Sequence, residues 1–249
     1  MNIAIITGAS SGIGKEFAKQ IDNYNLDELW LIARRKDKLS NLKKFLKTKS
    51  EILSFDLEKK EDIEKLNEIL KNKKPTVKIL VNSAGVGMNG DFSQTNLKYH
   101  NSTIDLNIKA LVDICYLTIF YMNKGSKIIN IASVAGLIPQ PNFSTYSASK
   151  AFVISFSRSL NRELRKKKIK VSCLLPNQVE TEFLKKSNNE SKVKSFGKEN
   201  IQKLVDFALK KSEKKDIIVY SFISKTLKVI SKILPHSFIM WIEKILKFY

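Results

Sequence analysis

Seven short apolar runs, Ile3–Ile6, Leu29–Ala33, Ile52–Phe55, Val77–Asn82, Lys127–Ala132, Lys170–Leu175 and Ile217–Tyr220, alternate with longer segments of helical period. Strands that stay apolar along their whole length belong in a sheet covered on both faces. Parallel neighbours need a long crossover, usually a helix, so the alternation reads as repeated βα units. The expected architecture is α/β, a single-domain Rossmann-like doubly wound parallel sheet of about seven strands. Ser102–Met122 and Tyr146–Lys168 are the two longest helix candidates between strands, each long enough to cross the sheet. A chain of 249 residues with 43% hydrophobic content can bury one such core. We assign residues 1–220 to this domain and 221–249 to a helical extension on or near it. The extension is two amphipathic stretches, Ser221–Leu234 and His236–Tyr249, divided by Pro235.

Composition narrows the function. The first apolar run starts too early to leave space for a secretory leader, and a cytoplasmic location is expected. Cys115 and Cys173 each sit in an apolar stretch and read as reduced core thiols, while His100 and His236 are isolated, so no metal is expected. A net charge of +20 would attract nucleic acid or an anionic membrane. Only five of the 44 basic residues are arginine, the residue that reads bases and grips phosphates in bidentate fashion. A solvated lysine surface is therefore the preferred reading, and no nucleic-acid partner is expected. Lysines also interrupt the extension, and no window reaches the ~18 apolar residues of a membrane span. Three accounts of the extension stay open: a self-packed cap, which we favour, a lid over an apolar pocket, or a weak peripheral membrane contact.

After the first strand comes Thr7-Gly8-Ala9-Ser10-Ser11-Gly12-Ile13-Gly14, leading into a helix candidate, Lys15–Tyr24. Glycines there allow a tight turn and let backbone N–H groups and the positive helix end approach a pyrophosphate. The second strand ends in Ala33-Arg34-Arg35, where an NAD-preferring site would carry a carboxylate for the ribose hydroxyl. A guanidinium suits a 2′-phosphate instead, so NADP(H) is the expected cofactor, with Arg34 the stronger candidate of the pair. Tyr146 and Lys150 are four residues apart, which puts both side chains on one helix face, with Ser133 upstream at a strand end. An ammonium beside a phenol favours phenolate, so Lys150 is expected to lower the Tyr146 pKa and make it a proton donor and acceptor.

With the glycine loop, the Tyr-Lys pair and the upstream serine together, the chain resembles the short-chain dehydrogenase/reductase family over positions 7 to 181. The family's Thr-Gly-x-x-x-Gly-x-Gly element matches Thr7, Gly8, Gly12 and Gly14, and its Tyr-x-x-x-Lys element matches Tyr146 and Lys150. The resemblance implies that Asp56 and Leu57 lie by the adenine and that Asn82, Ala84 and Gly85 follow the fourth strand. It further implies that Pro176, Val179 and Thr181 line the nicotinamide and that Lys150 also binds the nicotinamide ribose. Asn107, Ser133, Tyr146 and Lys150 would form a catalytic tetrad, Asn107 supporting a water through which Lys150 exchanges protons. The implied activity is NADP(H)-dependent interconversion of a carbonyl and an alcohol, in a homodimer or homotetramer built on the two long helices. Ser83 stands where a second asparagine is usual, and Asn177 where glycine usually follows proline; asparagine tolerates left-handed angles, which would keep that turn. The polar segment Leu184–Lys198 is expected to be a loop or short helices over the substrate. Two other readings are a non-catalytic NADP-binding module and a membrane-associated reductase of a lipid-like carbonyl.

Overall fold

The computed structural model describes residues 1–182 and 198–245. The expected loop Leu184–Lys198 lies outside them except for Lys198 itself, as does the end of the tail beyond Ile245. In chain order the elements are β1 (Asn2–Thr7), α1 (Gly12–Ile21), β2 (Glu28–Ile32), α2 (Lys36–Lys43), β3 (Ser50–Leu53), α3 (Lys60–Lys73) and β4 (Thr76–Asn82). There follow α4 (Leu97–Ile104), α5 (Ala110–Ile119), β5 (Lys127–Ile131), α6 (Ser144–Glu163), β6 (Lys170–Leu174), α7 (Ile201–Lys211), β7 (Ile217–Ile218), α8 (Phe222–Ile233) and α9 (His236–Ile245).

The strands form one seven-stranded parallel sheet in the order β3-β2-β1-β4-β5-β6-β7. The doubly wound reading holds because successive side chains point to opposite faces. Ile3 and Ile5 join Trp30, Val77 and Leu80 in the core under α3, α5 and α6, whereas Ala4 and Ile6 join Phe17, Leu29 and Leu31 in the core under α1, α2 and α7. Both faces are dry, so the strands show no polar alternation. Strand order reverses between β1 and β4, and the turns that leave their carboxyl ends diverge there to open a crevice.

The helix expected at Ser102–Met122 is two helices. It starts earlier, at Leu97, where the Asn96 side chain accepts the Lys98 N–H at 2.9 Å. A π-helical turn, Asp105–Lys109, then separates α4 from α5 and carries Asn107. Such turns often mark functional sites, because the extra residue re-aims the side chains around it. None of the described helices is long and apolar enough to cross a membrane.

Candidate active site

The crevice is a cleft of about 870 Å³. At its mouth the Thr7 hydroxyl ends β1 by accepting the N–H groups of Ser83 and Ala84 at 3.0 and 3.1 Å, which locks the β1 turn to the loop after β4. Gly8 makes that contact feasible: its φ is +66°, and a β-carbon there would lie 2.8 Å from the Ala84 nitrogen. Gly8, Ser10, Ser11, Gly12 and Ile13 line the cleft at the start of α1, with Thr7 and Gly14 outside the lining. Asp56, Leu57, Ala84, Gly85, Pro176, Val179 and Thr181 also line it.

The two arginines divide differently from the expectation. Arg34 lines the cleft but is 57% exposed, with Glu58 3.4 Å away. Arg35 turns inward, donating to the hydroxyls of Ser10 and Ser11 at 3.0 Å each and to Glu182 at 2.5 Å. Lys38 binds the same carboxylate, and the two cations hold Glu182 ionised, its pKa lowered to about 2. An anion thus already occupies the spot formed by Arg35, Lys38 and the glycine loop. These residues fit the phosphate-bearing end of a nicotinamide dinucleotide.

Deeper in the cleft, Tyr146 and Lys150 share one face of α6 at the carboxyl end of β5. The Lys150 Nζ is 5.5 Å from the Tyr146 ring centroid and donates to the Ile131 carbonyl at 3.1 Å. The Tyr146 hydroxyl is hydrogen-bonded to Ser133. Ser133 caps the turn Val134–Leu137 by accepting the Ala135 N–H at 3.2 Å, and it donates to the Pro176 carbonyl at 3.4 Å. Phe143 stacks on the Tyr146 ring at 4.2 Å, and a β-carbon on Gly87 would come within 2.5 Å of that ring.

Ionisation corrects the expected role of Lys150. Burial pushes the Tyr146 phenol up to about 12, with the Ser133 hydrogen bond opposing, and burial brings Lys150 down to about 8. Desolvation outweighs the Ser133 hydrogen bond, so the phenol is not lowered.

Two other expected residues lie outside the cleft lining. Asn82 turns into the core, donating to Asn130 Oδ1 at 2.9 Å and to the Cys115 sulfur at 3.2 Å. Its own Oδ1 is buried without a partner among the described residues. Asn107 donates to the Val86 carbonyl at 2.8 Å and to Ser149 at 3.0 Å, and accepts the Val86 N–H at 2.9 Å. It therefore clamps the backbone of the Gly85–Gly87 floor. Asn177 is not among the described non-glycine residues with positive φ, so its turn needs no left-handed residue.

Several residues in or beside the cleft carry no sequence motif. Gly87 and Phe143 act through contacts made only in the fold, and Lys38 and Glu182 meet across 144 positions. The tail forms one wall of the same cleft through Ile223, Leu227, Ile230, Leu234, Ile239 and Ile242. Of the three accounts of the tail, the wall of a pocket describes it better than a cap closed on itself. Glu199, buried and unforeseen, ties this wall down by accepting the N–H of Ser221 and the hydroxyl of Ser224 at 3.3 Å each, and the N–H of Asn177 at 3.1 Å.

Comparison with known proteins gives the family. A family model described as short chain dehydrogenase matches residues 2–192. An uncharacterized oxidoreductase of Staphylococcus epidermidis is 30% identical over 209 residues, covering 83% of this chain and 90% of its own. Sulfoacetaldehyde reductase 2 of Chromohalobacter salexigens is 32% identical over 188 residues, covering 73% and 74%. Among solved structures, a short-chain dehydrogenase from Sphingobium yanoikuyae in complex with NADPH superposes with a TM-score of 0.80 at 26% identity, covering 94% of this chain and 97% of that one.

Proposed function

The chain belongs to the short chain dehydrogenase family and is an oxidoreductase, and on that premise we propose that it interconverts a carbonyl and an alcohol with NADP(H), Tyr146 serving as acid and base. The observation that carries this is the buried Tyr146 hydroxyl bonded to Ser133, at the end of a cleft that begins with a phosphate-binding glycine loop. The cofactor, when bound, delivers or accepts hydride at the carbonyl carbon. The chain's own residues handle the oxygen. Tyr146 donates a hydrogen bond to it, Ser133 does so once its hydroxyl turns from the Pro176 carbonyl, and as negative charge develops Tyr146 gives up its proton. Lys150, at 5.5 Å, stabilises the phenolate that remains. Asn107 is a positioning residue: by holding both polar atoms of Val86 it fixes the floor between Lys150 and Tyr146.

Preference for NADP(H) is supported by Arg35, bonded to the Ser10 and Ser11 hydroxyls, and by Lys38, which shares Glu182 with it, with Arg35 replacing Arg34 as the principal contact. The NADPH complex of the Sphingobium relative supports the same choice, and the aldehyde reductase among the relatives supports the reductive direction. The wider lining residues Asp56, Leu57, Ala84, Gly85, Pro176, Val179 and Thr181 are assigned to the cofactor on the same reading. The molecule is read as a homo-oligomer joined through α5 and α6.

The test is NADPH consumption with a panel of ketones and aldehydes. Tyr146→Phe should lower kcat at least about a hundredfold while NADPH still binds. Arg35→Ala should weaken NADPH by about tenfold to a hundredfold and leave NADH little changed. Wild-type turnover in Tyr146→Phe would refute the mechanism.

A further inference from the structure

We propose that the substrate is a long-chain or bulky apolar carbonyl compound, received beneath a lid formed by α8 and α9; this rests on the oxidoreductase reading above. The two ends of the cleft differ in chemistry. Among the described residues, its charged lining side chains are Arg34, Arg35, Asp56 and Glu182 at the glycine-loop end, plus Lys150 beside Tyr146. The opposite wall is aliphatic. Ile223, Leu227, Ile230 and Leu234 recur at steps of four, three and four, one stripe along α8, and Ile239 and Ile242 of α9 extend it.

The outer face of α8 is mixed, with Phe222, Val229 and Ile233 exposed beside its polar residues. Lys225, Thr226 and Lys232 are exposed, while the stripe is only half-buried because it faces the cleft rather than a packed core. Phe143, stacked on the Tyr146 ring, and Pro141 continue the apolar surface to the reacting hydroxyl. Surface of this kind gains free energy in proportion to the apolar area a ligand covers. A small anionic substrate would shed its hydration there without finding a charged partner on the described wall.

The lid is held in register with the chemistry. Glu199 binds the start of α8 through Ser221 and Ser224 and binds Asn177 with its other oxygen. Asn177 follows Pro176, whose carbonyl accepts from Ser133. One buried carboxylate therefore connects the apolar wall to the loop that orients the proposed oxygen-binding serine.

The test measures kcat/KM with NADPH for methyl ketones from butanone to dodecanone, with glyoxylate as a small anionic aldehyde. We expect a rise of about threefold to fourfold per added methylene until the cleft fills. The dodecanone-to-butanone ratio should fall about tenfold in Ile230→Asn. A flat series, or a preference for glyoxylate, would overturn the proposal while leaving the oxidoreductase reading intact. Titration with prodan, a fluorescent apolar ketone, gives a readout independent of turnover. Saturable binding displaced by dodecanone and weakened in Ile230→Asn supports the apolar cleft even if no ketone is reduced, an outcome that would instead count against the catalytic reading. Absence of such binding in the wild-type protein overturns the proposal.

Discussion

Burying a phenol and an ammonium in one dry pocket drives both towards their neutral forms, and this bears on the direction of reaction. With Tyr146 raised to about 12, the phenol keeps its proton across the neutral range, the state that carbonyl reduction consumes. Alcohol oxidation needs phenolate instead, and below pH 12 its fraction grows about tenfold per pH unit. Lys150, lowered to about 8, is charged below that pH and neutral above it. The phenolate left by reduction therefore loses its counter-ion as pH rises. We expect kcat/KM for reduction to be level from about pH 6 to 8 and to fall above it, whereas oxidation climbs on the alkaline side. Pre-steady-state hydride transfer followed from both sides checks this. A reduction rate that keeps climbing above pH 8 would mean that the Lys150 charge plays no part. At this scale the sequence made Tyr146 and Lys150 neighbours but was silent about their electrostatics, because four-residue spacing does not tell how much water surrounds the two groups. The proposed preference for Arg35 over Arg34 has a similar origin: adjacent residues at the end of β2 make different contacts, Arg34 with Glu58 and Arg35 with the glycine-loop serines.

Elements take their places through contacts of very different legibility. The seven strands could be read because burial on both faces leaves an uninterrupted apolar run, a signal local to each segment. The π turn at Asn107 left no such signal, since one extra residue in a helix barely disturbs its apolar period. The tail was legible as amphipathic, but amphipathicity reports that a face is covered and not what covers it. Glu199 is the clearest case of a role invisible in sequence: its partners Asn177, Ser221 and Ser224 lie 22 to 25 positions away, across segments of unrelated pattern. Removing this carboxylate strands three donors. Glu199→Ala should cost about 3 kcal/mol of stability in urea denaturation. It should also accelerate amide exchange at Asn177 and Ser221 more than in the strands, because the start of α8 loses its anchor. Uniform acceleration over the whole chain would instead assign Glu199 a purely global role.

At the scale of the whole molecule, the outer faces of α5 and α6 leave aromatic surface uncovered. Tyr116 and Phe120 on α5 are each 65% exposed and meet edge to face at 5.2 Å, while Phe152 and Phe156 on α6 stack at 5.8 Å. Both helices pack on the same side of the sheet, through Ile114 and Val153, so their outer faces turn towards the same surroundings. Exposed aromatic surface of this kind suits the homo-oligomer proposed above, and a two-fold axis would let each copy cover the same residues on the other. The opposing force is charge. Each copy carries +20, so two copies repel at low salt, and screening weakens that repulsion as the Debye length falls from about 30 Å at 0.01 M to about 8 Å at physiological salt. Association driven by apolar burial against like-charge repulsion should tighten with salt, the reverse of binding to nucleic acid. Sedimentation velocity at low micromolar concentration should therefore show a dimer or larger species whose share grows between 0.05 and 0.3 M salt, about tenfold or more in association constant. Tyr116→Glu combined with Phe120→Glu should give monomers at every salt concentration with prodan binding retained, because neither side chain lines the cleft. A wild-type protein that stays monomeric throughout, or one that dissociates as salt is raised, would rule out this interface.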